Sequence, residues 1–155
     1  MKRQIVVTAT VLATLLMSPM LGVSQPSPTG SQEPGYWQPL ATVNVNRPVS
    51  LTVINNTGIP LEYSARNSPI QRIGAGGRVV LGDYTINPNA QSDRERNLNV
   101  PINPPIEGYG QVLLHFDIDS NVRNNNVTVT VRPANPGERI DRELYFDENG
   151  RVYVF

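Results

Sequence analysis

Residues 49–65 read VSLTVINNTGIPLEYSA, and the way this stretch folds decides the architecture. Val49, Leu51 and Val53 alternate with Ser50 and Thr52, and after a corner Leu61 and Tyr63 alternate with Glu62 and Ser64. Successive side chains of a strand point to opposite faces, so each alternating run predicts a strand with one buried face. Between the runs stands Asn55-Asn56-Thr57-Gly58, with Pro60 just before the second run. Asn and Gly tolerate the left-handed dihedrals of tight turns, and proline suits the start of a strand. The corner is therefore expected to be a bend between adjacent strands rather than a binding loop.

The same alternation recurs on either side. Ala41, Val43 and Val45 form one apolar row; Val112, Leu114, Phe116 and Ile118 form a longer one; Val127, Val129 and Val131 form another. Val79-Val80-Leu81 is a short apolar run after Gly76-Gly77. The chain closes in ELYFDENGRVYVF, where Asn149-Gly150 between apolar residues predicts a hairpin. Apolar residues never recur at three and four, so no helix is expected. About seven or eight short strands with Pro and Gly turns predict an all-β fold, an antiparallel β-sandwich. Pro48, Pro60, Pro88, Pro101, Pro104, Pro105, Pro133 and Pro136 are expected to fall between strands. Residues 85–109 read as a long crossover carrying one edge strand, Leu98 to Ile102. Trp37 is expected to staple the first strand to the core, and Phe155 to be a core or sheet-edge side chain.

The first residues place Lys2 and Arg3 ahead of an apolar run from Ile5 to Met17, with Gly22 and Ser24 where a signal peptidase reads small residues. That pattern predicts an export signal over residues 1–24, a run too short for a membrane helix of about 20 apolar residues. Residues 25–35, QPSPTGSQEPG, read as a flexible, disordered tether, and residues 36–155 as one domain. The expected location is periplasmic or extracellular, with no membrane span after cleavage. Loss of Lys2 and Arg3 leaves only arginines as basic residues, against 13 acidic groups. With a slight negative charge and no basic cluster, no nucleic-acid partner is expected. The chain has no Cys, and its 3 Met are Met1, Met17 and Met20. Cysteine nucleophiles and thiolate metal sites are thereby excluded, and the domain must rely on its apolar core.

An apolar strand, Asn-x-Thr-Gly, an apolar-Tyr strand, then Ile73-Gly74-Ala75-Gly76-Gly77 and Val79-Val80-Leu81 resembles the immunoglobulin-like modules of exported bacterial proteins. Trp37-Gln38-Pro39, Asn46-Arg47-Pro48-Val49, Leu61-Glu62-Tyr63 and the closing Asp147 to Phe155 resemble a group of small exported cyanobacterial proteins of unknown function. That resemblance implies fold and location and carries no activity. Asn55-Asn56-Thr57-Gly58, Gly74-Ala75-Gly76-Gly77 and Arg132-Pro133 also resemble, in order, the three loops of chagasin-like inhibitors of papain-type cysteine proteases. Those loops enter a protease cleft. Here the first loop lacks a Pro and a Thr, and Ala134 stands where that family has an aromatic residue.

His115, the sole histidine, shares one strand face with Asp117 and Asp119. Asp117, Asp119 and Asn121 open like a calcium loop, although Val122 and Thr128 stand where that loop needs Gly and Glu. The alternative is the solvated face of an outer strand. No Gly-x-Ser-x-Gly elbow or other nucleophile motif accompanies His115, and a compact sandwich rarely offers a glycosidase cleft. Neither catalysis nor a cofactor is expected. The closing strand is too short for a membrane barrel, which needs about nine to eleven residues per strand. Asn55-Asn56-Thr57 and Asn126-Val127-Thr128 match the N-glycosylation acceptor pattern. The expected function is a non-catalytic binding or structural module of the cell envelope. Its partner would be an envelope protein or a glycan, met at Tyr36 and Trp37 or at the loops from Tyr84 to Tyr109. The alternatives are the protease inhibitor and a calcium-stabilised adhesion-like module.

Overall fold

The computed structural model describes residues 37–155 except Asn67 and Gly110. The expected signal, the tether and Tyr36 lie outside the described residues. Among those residues the strands are β1 (Ala41–Thr42), β2 (Val49–Asn55), β3 (Leu61–Tyr63), β4 (Gln71–Ile73), β5 (Arg78–Tyr84), β6 (Leu98–Asn103), β7 (Leu114–Asn121), β8 (Asn126–Pro133), β9 (Glu143–Phe146) and β10 (Arg151–Val154). A single helical turn, α1 (Asp93–Arg96), precedes β6. A distorted turn, α2 (Ile106–Tyr109), follows β6, with Glu107 and Gly108 outside helical dihedrals.

The strands form two sheets, ordered β1-β10-β9-β6-β3-β4 and β5-β2-β8-β7. Their inward rows meet in one core. Val49, Leu51 and Val53 of β2, Leu114 and Phe116 of β7, and Val127, Val129 and Val131 of β8 face Leu61, Leu98, Val100, Ile102, Leu144, Phe146, Val152 and Val154. This is the predicted sandwich. It has more strands than expected, because β4 is too short to carry a readable period, while the expected row from Ala41 to Val45 is strand only at Ala41–Thr42.

Three expectations change. First, the sandwich is not wholly antiparallel: β2 and β8 run parallel from Ser50↔Asn126 to Asn55↔Val131. Hydrophobic alternation reports a buried face and says nothing of strand direction. Second, β6 is interior, between β9 and β3, although the crossover was expected to carry it as an edge strand. The proline is accommodated because its nitrogen faces the β3 side, and β3 ends at Tyr63; Pro101 O still accepts the Ser64 N–H at 3.4 Å. Pro101 and Pro133 thus lie within strands rather than between them. Third, α1 and α2 stand where no helix was expected, each too short to carry a readable helical period. The β2–β5 register also shifts between Ser50 and Thr52, where Gly82 adopts φ +73° on the bulged strand.

Two buried asparagines fix the ends of the parallel pair. At its far end the Asn55 amide nitrogen donates to Ile59 O (2.7 Å), Gly74 O (2.9 Å) and Ile73 O (3.2 Å). Its Oδ1 accepts from the Thr57 N–H (3.0 Å) and hydroxyl (2.7 Å). At the near end Asn125, at φ 51°, donates to Asn44 O, Arg47 O and Pro48 O and accepts from the Asn44 N–H at 2.7 Å. The first of these clamps confirms that the Asn-Thr-Gly corner is a bend, one whose own polar atoms are consumed in building it.

Candidate functional site: an aromatic sheet face and its polar cleft

The β9–β10 hairpin carries apolar residues on both faces. Leu144, Phe146, Val152 and Val154 are buried in the core, so the alternate residues point outward. Tyr145 and Tyr153 stand directly opposite each other in the ladder, and Phe155 follows two residues after Tyr153. Their ring centroids form a nearly equilateral triangle of 6.2–6.3 Å, with Tyr153 and Phe155 only 14° from parallel. Trp37, Asp147 and these three rings line an open depression of about 480 Å³. Trp37 is 79% exposed and Phe155 45%. Neither fills its expected place: Trp37 does not staple β1, and Phe155 lies beyond β10 on the outer face. The backbone of Phe155 is nonetheless tied to Glu143 by bonds of 2.9 and 3.0 Å.

The hairpin turn arms this face with a cation. Asp147 Oδ1 accepts from the N–H groups of Asn149 (2.9 Å) and Arg151 (2.8 Å), and Asp147 Oδ2 accepts from Arg151 Nε at 2.7 Å. This hydrogen bond, with the carboxylate charge, holds the Arg151 guanidinium above its usual pKa. The guanidinium carbon lies 5.9 Å from the Tyr153 ring centre, and among the described residues neither Nη group has a hydrogen-bond partner. Burial, then the carboxylates of Asp147, Glu148 and Asp93, raises the Tyr145 hydroxyl pKa, so that hydroxyl is a neutral donor at physiological pH.

Across Tyr145 the surface turns polar. Tyr145 pairs with Asn99 of β6 and also lines a cleft of about 330 Å³ with Arg66, Asp93, Arg94, Asn97 and Asn99. The Asp93 carboxylate is engaged by Arg96. The crossover segment expected to be a loop supplies this wall through α1, so part of the span from Tyr84 to Tyr109 does border the candidate surface.

The other sequence candidates are placed differently. His115 is buried, not solvated: its Nδ1 lies 3.1 Å from Arg139 O and 3.4 Å from the buried Asp141 carboxylate. The segment after β8 folds over this edge of β7, where Asp141 N–H donates to Leu114 O and Asp141 Oδ2 accepts the Phe116 N–H, both at 2.8 Å. Asp117, Asp119 and Asn121 lie along β7 rather than around a loop. Asp117 accepts from Arg132 Nε at 2.9 Å, while Asn121 Oδ1 accepts the N–H groups of Arg123 and Asn124. Among the described residues no group of three or more His, Cys, Asp or Glu is arranged to hold a metal ion. Asn55 is fully buried, so its acceptor pattern is closed in the folded chain, whereas Asn126 is half-buried and bonded to Thr128 at 3.2 Å.

The three inhibitor-like segments do converge. Asn55 N–H donates to Gly77 O at 2.8 Å and Asn56 N–H to Val131 O at 2.7 Å. Asn56, Gly58, Gly74 to Gly76 and Pro133 are exposed at this one end. Tyr145, Tyr153 and Phe155 were not singled out from the sequence as a site. The available signal was that both faces of the closing hairpin are apolar, and only one can face the core. No family model, curated protein or solved structure matches the chain.

Proposed function

We propose that this chain is an exported, non-catalytic binding module of the cell envelope, an immunoglobulin-like sandwich that engages its partner through the outer face of the six-stranded sheet. One observation carries the reading: four aromatic side chains, Trp37, Tyr145, Tyr153 and Phe155, share one open depression on a surface that the fold does not use for its own packing. Exposed apolar surface of this kind is costly to leave in water and marks interaction sites. The charged leader and the cysteine-free composition support export. The test is affinity capture from native envelope extract on residues 25–155, with Tyr153→Ala alongside. A bound component retained by the parent chain and lost in the variant is expected. Equal recovery by both chains would move the binding surface elsewhere.

The convergence of the three loops favours a second reading, the chagasin-like inhibitor. Gly74 is suited to test it, since a Cβ there meets nothing within 4 Å and its φ is ordinary, whereas Gly76 sits at φ +68°. Gly74→Arg should abolish inhibition of papain without disturbing the fold. Absence of inhibition by the parent chain at micromolar concentration ends that reading.

A further inference from the structure

We infer that the ligand of the aromatic face is an extended glycan, lying with sugar rings on Trp37, Tyr153 and Phe155 and continuing past Tyr145 into the polar cleft beside Arg94 and Asn99. This rests on the reading of that face as the binding surface and names the ligand class. The depression and the cleft share Tyr145 as a common wall, so apolar and polar subsites are continuous along one sheet face. A glycan is the polymer whose chemistry matches such a track. Its C–H ring faces pack on the electron-rich faces of aromatic rings, and its hydroxyls, or carboxylates, need in-plane donors and acceptors.

Those groups are present and already oriented. Asn99 and Asn97 offer amides, the Tyr145 hydroxyl is neutral, and Asp147 holds Arg151 by Nε, which leaves its Nη groups without a partner among the described residues. The carboxylates are already matched, Asp147 by Arg151 and Asp93 by Arg96; of the two other cations lining the cleft, Arg66 donates to Thr85 O beside the Tyr84 ring, and Arg94 has no ion-pair partner among the described residues. An added peptide strand is not favoured at this face, because β9 is paired on both sides and β10 is paired with β9 on one side and with β1 at Arg151 and Val152 on the other.

Trp37 is the only tryptophan of the chain, so its fluorescence reports on this site alone. The experiment titrates residues 25–155 with peptidoglycan fragments, alginate, polygalacturonate and laminarin, following Trp37 emission, and repeats each polymer by affinity gel electrophoresis. At least one polymer should shift the emission and retard the chain. Trp37→Ala and Tyr153→Ala, read by retardation, should each weaken binding by about tenfold or more, and Arg94→Ala should weaken binding of uronate polymers more than of laminarin. Silence across all four polymers, or retardation unchanged in both aromatic variants, overturns the inference. If the polymers are silent while envelope capture yields a protein that Tyr153→Ala loses, the glycan is wrong and the binding face stands. If both arms are silent, both readings fall.

Discussion

Asn55 is the residue on which the first bend depends, and its chemistry is specific to an amide. The side chain has no solvent exposure, and its nitrogen serves three main-chain carbonyls while its oxygen serves Thr57. Asn55→Ala leaves these groups without the partner that the bend provides, the Ile73 carbonyl in a buried bond among them. It is expected to cost about 2–4 kcal/mol in urea unfolding, and a loss below about 1 kcal/mol would contradict the clamp. Asn55→Asp should be at least as damaging, because it faces the carbonyls with another acceptor. Gly150 is constrained twice: it holds φ +76°, and a Cβ there would sit 2.3 Å from Val43 O. Gly150→Ala should therefore push β1 away, break the Val43 N–H to Gly150 O bond and lower stability by more than about 1 kcal/mol. The sequence made both turns legible as turns, because Asn and Gly are the residues that left-handed dihedrals select. It did not reveal which side chain holds which carbonyl, since those contacts join residues far apart along the chain.

At the scale of elements, long alternating runs were readable and pairing partners were not. β2, β7 and β8 each have enough alternating residues to declare a buried face, but nothing local says that β2 lies parallel to β8 or that Pro101 can enter an interior strand. Nor did the sequence show that the segment after β8 would cover the β7 edge and bury His115. That segment is held by the Arg132 fork, which donates to Glu138 at 2.7 and 3.0 Å, and by the Asn135 N–H at 2.6 Å. The guanidinium hydrogen bonds, then that N–H, hold the Glu138 carboxyl well below its usual range. A carboxyl whose pKa is depressed on folding adds stability above its unfolded pKa, and this is lost as pH falls through the folded value. The unfolding midpoint of the parent chain should therefore exceed that of Glu138→Gln at neutral pH. The gap should close as the pH drops below the ordinary carboxyl value of about 4.5. A gap independent of pH would assign the difference to packing alone.

For the whole molecule, the balance between core and surface decides what the domain needs in order to fold. The buried cluster begins at Val43 and ends at Val154, and Leu40 and Ala41 pack against it. No disulfide contributes, because the chain has no cysteine. The aromatic face, by contrast, was hidden in the sequence, since a hairpin that is apolar on both sides reads at first as a hairpin that is buried on both sides. Only closure of the sandwich shows which row was left outside. Among the described residues the core begins at Val43, and a chain comprising residues 36–155 should fold by itself. Its thermal midpoint should match that of residues 25–155 and should not respond to reductant. It should also keep Trp37, and with it polymer binding at unchanged strength. A lower midpoint would mean that residues 25–35 contribute to the fold. An unchanged midpoint with weakened binding would instead assign those residues to the ligand surface, separating what the core requires from what the aromatic face requires.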